Sequence, residues 1–193
     1  MLATNHIAFK EWAVICAALT DGRQSLILRK GGIHEGPGGF QVEYDEFWLF
    51  PTYLHQQADA LTDDARPLLE QVQRDQPPPE FVRIGLYAVV EDVFEMRDPI
   101  VLPCLTGLHI WSDRTVDQRF HYKRLGLIVL CVRVFALPQS IEVPNSPHFA
   151  GCRTWVDLPS DLSTAGLKPV LSDEEFSRRL AAVQIATSPI RLA

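Results

Sequence analysis

The segment from residue 25, SLILRKGGIHE, ends an apolar run in two cations, two glycines, a histidine and a carboxylate. Gly31 and Gly32 allow successive backbone N–H groups to turn toward one point, and Arg29 and Lys30 set positive charge beside them, which is the chemistry of an anion cradle. The G-x-x-x-x-G-K-[ST] spacing of a P-loop is absent, and the same residues also suit a plain turn with solvated cations. His34 and Glu35 follow at once. A second stretch, FPTYLHQ at residues 50–56, adds His55 and Gln56. His55 or Glu35 would serve as the base of a phosphodiester hydrolase, with Arg29 and Lys30 stabilising developing charge. This His/Glu/His set has metal-ligating types but neither H-E-x-x-H nor facial-triad spacing, so no metal is assigned to it.

Two further groups pair arginine with aromatic rings: Trp111, Arg119, Phe120 and His121, then Arg153 with Trp155. Arginine beside tryptophan can stack a base or clamp a phosphate, whereas the rings alone would simply be core. Arg133 interrupts the apolar run LIVLCVRVFAL and needs a partner or a cleft, with Glu91 or Asp92 as the expected carboxylate. No G-x-S-x-G elbow appears. Cys16, Cys104, Cys131 and Cys152 lie far apart with no C-x-x-C pair, which argues against a zinc knuckle.

These groups must be placed by the surrounding elements. Residues 12–19 and 24–29 read as two strands joined through Asp21-Gly22, a strong hairpin signal. The glycine-rich loop GGIHEGPGG and strand-like FQVEY and EFWLF come next, and Pro51-Thr52 suits the start of a helix over YLHQQADAL. Thr62-Asp63-Asp64 offers a second cap-like entry, with Leu68, Leu69 and Val72 on one helical face. Three prolines at 77–79 interrupt the chain before FVRIGLYAVVEDVFEM, a long strand with Val82, Ile84, Leu86, Ala88 and Val90 on one face. Ser112 caps a short helix over DRTVDQRFHY. LGLIVLCVRVFALP is apolar on both faces, as a covered central strand is. GCRTWVDL is a short strand among loops, and Ser172 with Glu175 forms a capping box opening a final amphipathic helix.

Strands before and after short helices, without regular alternation, indicate an α+β fold with a mixed, largely antiparallel sheet and short flanking helices. A partly closed barrel is compatible with this order. Residues 1–193 are expected to form a single domain, with 76–80 as the place where two lobes would divide. The net charge of −6 argues against broad wrapping of duplex DNA but leaves room for a local basic pocket. The first residues lack a basic secretory n-region, and the run from Trp12 to Leu19 is too short to span a bilayer, so a cytoplasmic protein with no membrane partner is expected.

The pieces AFKEWAVICAALTDGRQSLILRKGGIHE, FWLFPTYLHQ, HIWSDRTVDQRF, LIVLCVRVFALP and GCRTWVDL together resemble domain-of-unknown-function family 1802 of bacteria and archaea. LRKGGIHE and FPTYLHQ are the most specific of them. The resemblance implies a single domain and brings no activity with it. Gly22 and Arg29 also have the spacing of the G-x-K-x-x-E-x-R signature in the ASCH branch of PUA-like domains, with Gln24 in the lysine place and Ile27 in the glutamate place. That likeness implies a small PUA-like barrel and a nucleotide-sized ligand.

The leading expectation is a module binding an anionic ligand, a nucleotide or a single-stranded nucleic-acid end, through Arg29, Lys30, Gly31, Gly32, His34, His55, Gln56, Arg119 and Arg153. The hydrolase with His55 or Glu35 as base is the alternative, and a ligand-free scaffold or oligomer subunit is the third. The residue pattern assigns no cofactor.

Overall fold

The computed structural model describes residues 1–30, 41–151 and 153–187. Gly31, Gly32, His34, Glu35 and Cys152, and with them the anion cradle and one catalytic candidate, lie outside the described residues. In chain order the elements are β1 (Thr4–Trp12), α1 (Ala13–Thr20), β2 (Leu26–Arg29), β3 (Glu46–Thr52), α2 (Arg66–Arg74), β4 (Phe81–Met96), α3 (Asp113–His121), β5 (Leu127–Pro144), β6 (Trp155–Ser163), β7 (Lys168–Pro169) and α4 (Asp173–Thr187). Short 3-10 turns at Ala58–Ala60, Asp63–Ala65, Pro99–Leu105 and Pro147–Phe149 join them.

The strands form one sheet in the order β2-β5-β4-β3-β1-β6, with β7 pairing with β5. β1 and β3 run parallel and the other pairs antiparallel, so the sheet is mixed and largely antiparallel, as expected. Among the described residues no pairing joins β2 to β6, so the sheet is open rather than closed into a barrel. β5 lies inside the sheet between β2 and β4, which accounts for its apolar character on both faces. The strands on either side of the proline run, β3 and β4, are neighbours.

Each face of the sheet carries its own core. Phe9, Phe47, Leu49 and Leu86 pack with Ile15, Leu69, Val116, Phe120 and Val183, which come from all four helices. Ala8, Trp48, Phe50 and Tyr87 pack on the opposite face with Phe149, Val156 and Leu158. In β3 this is strict alternation, with Phe47 and Leu49 on one face and Trp48 and Phe50 on the other. In β4 the alternation breaks between Ile84 and Leu86, where the register with β5 shifts. Val82 and Ile84 therefore join one core while Leu86 and Ala88 join the other, instead of sharing a face.

Several local expectations are corrected. Residues 13–20 form helix α1 rather than a strand. The run is apolar on every side, so periodicity does not separate a buried helix from a buried strand, and its alanines favour the helix. Asp21-Gly22 is then a helix end: Gly22 has φ +64°, Gly22 N–H donates to Leu19 O at 3.2 Å and Arg23 N–H to Ala18 O at 2.9 Å, the bond pair of a Schellman motif. Residues 41–44 form no strand. Pro51 lies inside β3, and 53–57 hold a turn at 54–55 and no helix, leading into the short 3-10 turn Ala58–Ala60. Arg133 pairs with Asp173, the first residue of α4, and not with Glu91 or Asp92. The capping box does form, with Glu175 N–H donating to Ser172 Oγ at 3.3 Å and Ser172 N–H to Glu175 Oε2 at 3.1 Å. Among the described residues no helix is long and apolar enough to cross a membrane.

Candidate functional site

Helix α3 is the principal wall of the candidate site. Ser112 starts it, its Oγ accepting from Thr115 N–H at 3.3 Å. Val116 and Phe120 turn into the core, being 3% and 0% exposed. Helical spacing then puts Arg114, Thr115, Gln118, Arg119 and Tyr122 together on the other side. These five face a cavity of about 390 Å³, completed by Trp12 from the end of β1, Lys30 just after β2, and Gln57, Asp59 and Ala60. The opposite wall is tied to the helix start by backbone bonds, Ser112 N–H to Ala60 O at 2.9 Å and Thr62 N–H to Ile110 O at 2.9 Å. Ser112 Oγ also donates to Asp59 O at 3.3 Å.

Arg119 is the unusual member. Its guanidinium carbon lies 3.6 Å from the centroid of Trp111 and 5.9 Å from that of Trp12. Trp111 is itself core, 1% exposed, and stacks obliquely on Trp12 at 4.8 Å. The planar cation thus rests on an aromatic shelf. Among the described residues no carboxylate or carbonyl accepts from its N–H groups. Burial pulls its pKa down from 12.5 to about 10, with Glu11 pushing it up and Arg29 pushing it further down. It stays charged at neutral pH, with its donors unused in the cavity wall.

Of the other expected site residues that are described, Arg29, Lys30 and Gln56 are engaged by the protein itself. Arg29 is not among the lining residues: its guanidinium lies 4.3 Å from the Phe9 ring centroid and 3.8 Å from Glu11 Oε2, and it donates to Lys10 O. Glu11 is buried and accepts from Trp12 N–H at 2.7 Å. Lys30 lines the cavity, but its ammonium donates to the carbonyls of Phe120 at 2.9 Å, Gly126 at 2.7 Å and Arg124. Burial, then the neighbouring Arg124, lowers its pKa. It therefore closes the C-terminal end of α3 and contributes field rather than a free donor. Gln56 caps α1, its Oε1 accepting from Val14 N–H at 2.8 Å. His55 sits exposed on a turn with φ +64° and is not among the lining residues, and Arg153 is exposed ahead of β6. No residue of FPTYLHQ lines the cavity. No group of three or more metal-ligating side chains occurs among the described residues.

Among the described residues, Arg119 is thus the one expected site residue that reaches the cavity with its donors unengaged. Trp12, Gln57, Asp59, Arg114, Thr115, Gln118 and Tyr122 were not expected from the sequence. The signal for the α3 members was present as the recurrence of Arg114, Gln118 and Tyr122 at every fourth position, opposite Val116 and Phe120. The two departures from the ASCH signature are structural: Ile27 is fully buried, and Gln24 is buried, donating to Leu26 O at 2.8 Å and accepting from Ile110 N–H at 3.2 Å.

No curated protein matches the chain. Among solved structures it is similar to ASCH from Zymomonas mobilis, with a TM-score of 0.45 and 11% identity, covering 92% of this chain and 94% of that one. It is also similar to a mutant of that protein, with a TM-score of 0.43 and 10% identity, covering 95% of this chain and 99% of that one. The family model for the domain of unknown function DUF1802 matches residues 8–182, and the chain belongs to that family.

Proposed function

We propose that the protein is a binding module for a nucleotide or a nucleic-acid end, held in the cavity along α3. The observation that carries this is Arg119, a charged guanidinium braced on Trp111 with its donors unpaired in the cavity wall. A planar cation held this way is pre-organised to accept a phosphate in bidentate fashion, and the field of Arg114 and Lys30 adds to it. Trp12 and Tyr122 offer ring surface for a base, and Gln57, Asp59 and Gln118 offer polar edges. A volume of about 390 Å³ is in the range of small-molecule sites. Binding rather than hydrolysis is favoured because the described lining includes no histidine and His55 lies elsewhere.

Calorimetry with nucleoside monophosphates, short single-stranded oligonucleotides and inorganic phosphate tests this reading. Saturable binding by the wild type that disappears in Arg119→Met is the expected result. Absence of binding by every one of these probes, or unchanged affinity in the variant, overturns it.

A further inference from the structure

We propose that Asp59 makes the α3 cavity selective for a guanine base, an inference that rests on the nucleotide reading of the same cavity. Asp59 is the only carboxylate among the described lining residues, which otherwise include Lys30, Arg114 and Arg119. Two arginines within one small cavity would ordinarily draw such a side chain into an ion pair. Yet neither Arg114 nor Arg119 comes within 4.0 Å of it, and among the described residues it accepts no hydrogen bond. Its backbone is fixed instead, because Asp59 O accepts from Ser112 Oγ at 3.3 Å and the next carbonyl, of Ala60, accepts from Ser112 N–H at 2.9 Å. The backbone that carries the carboxylate is thereby held beside the first turn of α3, while Lys30 sits beside the last carbonyls of the same helix. The cavity has Asp59 as an acceptor, with Arg114, at the first-turn end of α3 and Lys30 at the other end.

An ionised carboxylate only accepts hydrogen bonds and offers two oxygens side by side. Guanine is the common base whose pairing edge presents two neighbouring donors, the N1–H and the exocyclic N2 amine. Adenine and cytosine each set one donor beside an acceptor, and uracil sets its single donor between two carbonyls. Against those three edges the carboxylate meets at least one lone pair, so repulsion adds to the lost bond. Trp12 or Tyr122 would hold the ring by stacking, and Gln57 and Gln118 bring amides that can satisfy the guanine O6.

The test is titration calorimetry of the full chain and its Asp59→Ala variant with GMP, AMP, CMP and UMP. Because Asp59 is exposed, the variant is expected to melt at the wild-type temperature. The wild type should prefer GMP, and the variant should bind GMP about tenfold or more weakly, the loss expected for charge-assisted hydrogen bonds, while AMP, CMP and UMP bind as before or more tightly. Equal affinity of the wild type for all four nucleotides overturns the inference and leaves the nucleotide reading standing. Equal tightening of all four by Asp59→Ala overturns it too, since the carboxylate then acts only by repelling phosphate. If none of the four binds to the wild type, the inference fails, and titration with short single-stranded oligonucleotides and inorganic phosphate decides separately whether the nucleic-acid reading of the cavity stands.

Discussion

The guanidinium of Arg119 lies 3.6 Å from the ring centroid of Trp111, and that ring is itself 1% exposed. A fully buried tryptophan in contact with a cavity wall is unusual unless something covers it. Here the cover is a cation, held by the ring quadrupole rather than by a counter-ion. The nearest carboxylate influence on it is Glu11, whose side chain already faces Arg29 at 3.8 Å. The Arg119 site is therefore electrostatically undersatisfied and has capacity for an anion.

Undersatisfaction has a measurable signature in stability. A desolvated cation without hydrogen bonds costs free energy that the stack of about 1–2 kcal/mol only partly offsets. Arg119→Met, which keeps an unbranched side chain over Trp111, should leave urea-unfolding stability within about 1 kcal/mol of wild type, or raise it. Arg119→Lys should keep the charge but lose nucleotide binding, because an ammonium has neither the planar fork nor the stacking face. Calorimetry and urea melts on the two variants separate these effects.

Lys30 makes the opposite prediction. Its three carbonyl contacts close the turn after α3, and one of them, Gly126 O, belongs to a residue with φ +126°. Lys30→Met removes all three donors and should lower stability by about 2 kcal/mol or more, the size of lost charge-assisted bonds to partly buried acceptors. Urea unfolding reads it directly, and equal midpoints for variant and wild type would contradict the cap.

How much of this was legible in the sequence depended on whether the signal was local. The Ser172–Glu175 box and the Ser112 cap need only neighbouring residues, and both formed as expected. β4 and β5 were long enough for composition to define them, although the bulge beside Gly85 moved Leu86 and Ala88 to the other face. Non-local information was missing elsewhere. Nothing near Lys30 in sequence announces that its partners are residues 120, 124 and 126, and nothing near Arg133 announces Asp173. The cavity combines Trp12, Asp59 and Arg119, which only the folded chain brings together. The sequence of α1 is ambiguous for a local reason: an all-apolar run followed by Asp-Gly fits a hairpin and a helix end equally well.

Gly22 tests that reinterpretation. At φ +64° a side chain is strained, and a Cβ there would lie 2.6 Å from Leu171 Cδ2. Gly22→Ala should cost about 1–2 kcal/mol, from the left-handed backbone with some yielding of Leu171. Gly22→Asn should cost less on the backbone side, since asparagine enters this region more readily. A hairpin turn with the same dipeptide would leave helical circular dichroism untouched by either change. Fraying of α1 in Gly22→Ala, seen as faster amide exchange at the end of that helix, is the expected reading.

His109 sets the pH dependence. It is 6% exposed, its Nδ1 has no hydrogen-bond partner, and burial lowers its pKa from 6.5 to about 4, partly countered by Asp113 and by backbone hydrogen bonds, with Arg119 adding to the depression. The unfolded chain therefore binds a proton at this site near pH 6.5, whereas the folded chain does so only near pH 4. Folding is favoured by this difference above pH 6.5, and the advantage is lost as pH falls through the window down to about 4, by up to about 3 kcal/mol. The carboxylates whose pKa values are lowered, Glu46, Asp64, Glu95 and Glu175, lose their contribution as pH falls through and below 4.5, so they overlap only the lower end of the histidine's window. Urea-unfolding free energies measured between pH 7 and pH 4.5 should fall for wild type and stay nearly level for His109→Leu, whose side chain cannot titrate. Parallel curves for the two proteins would show that the imidazole is protonated in the folded state and that its burial does not set the slope.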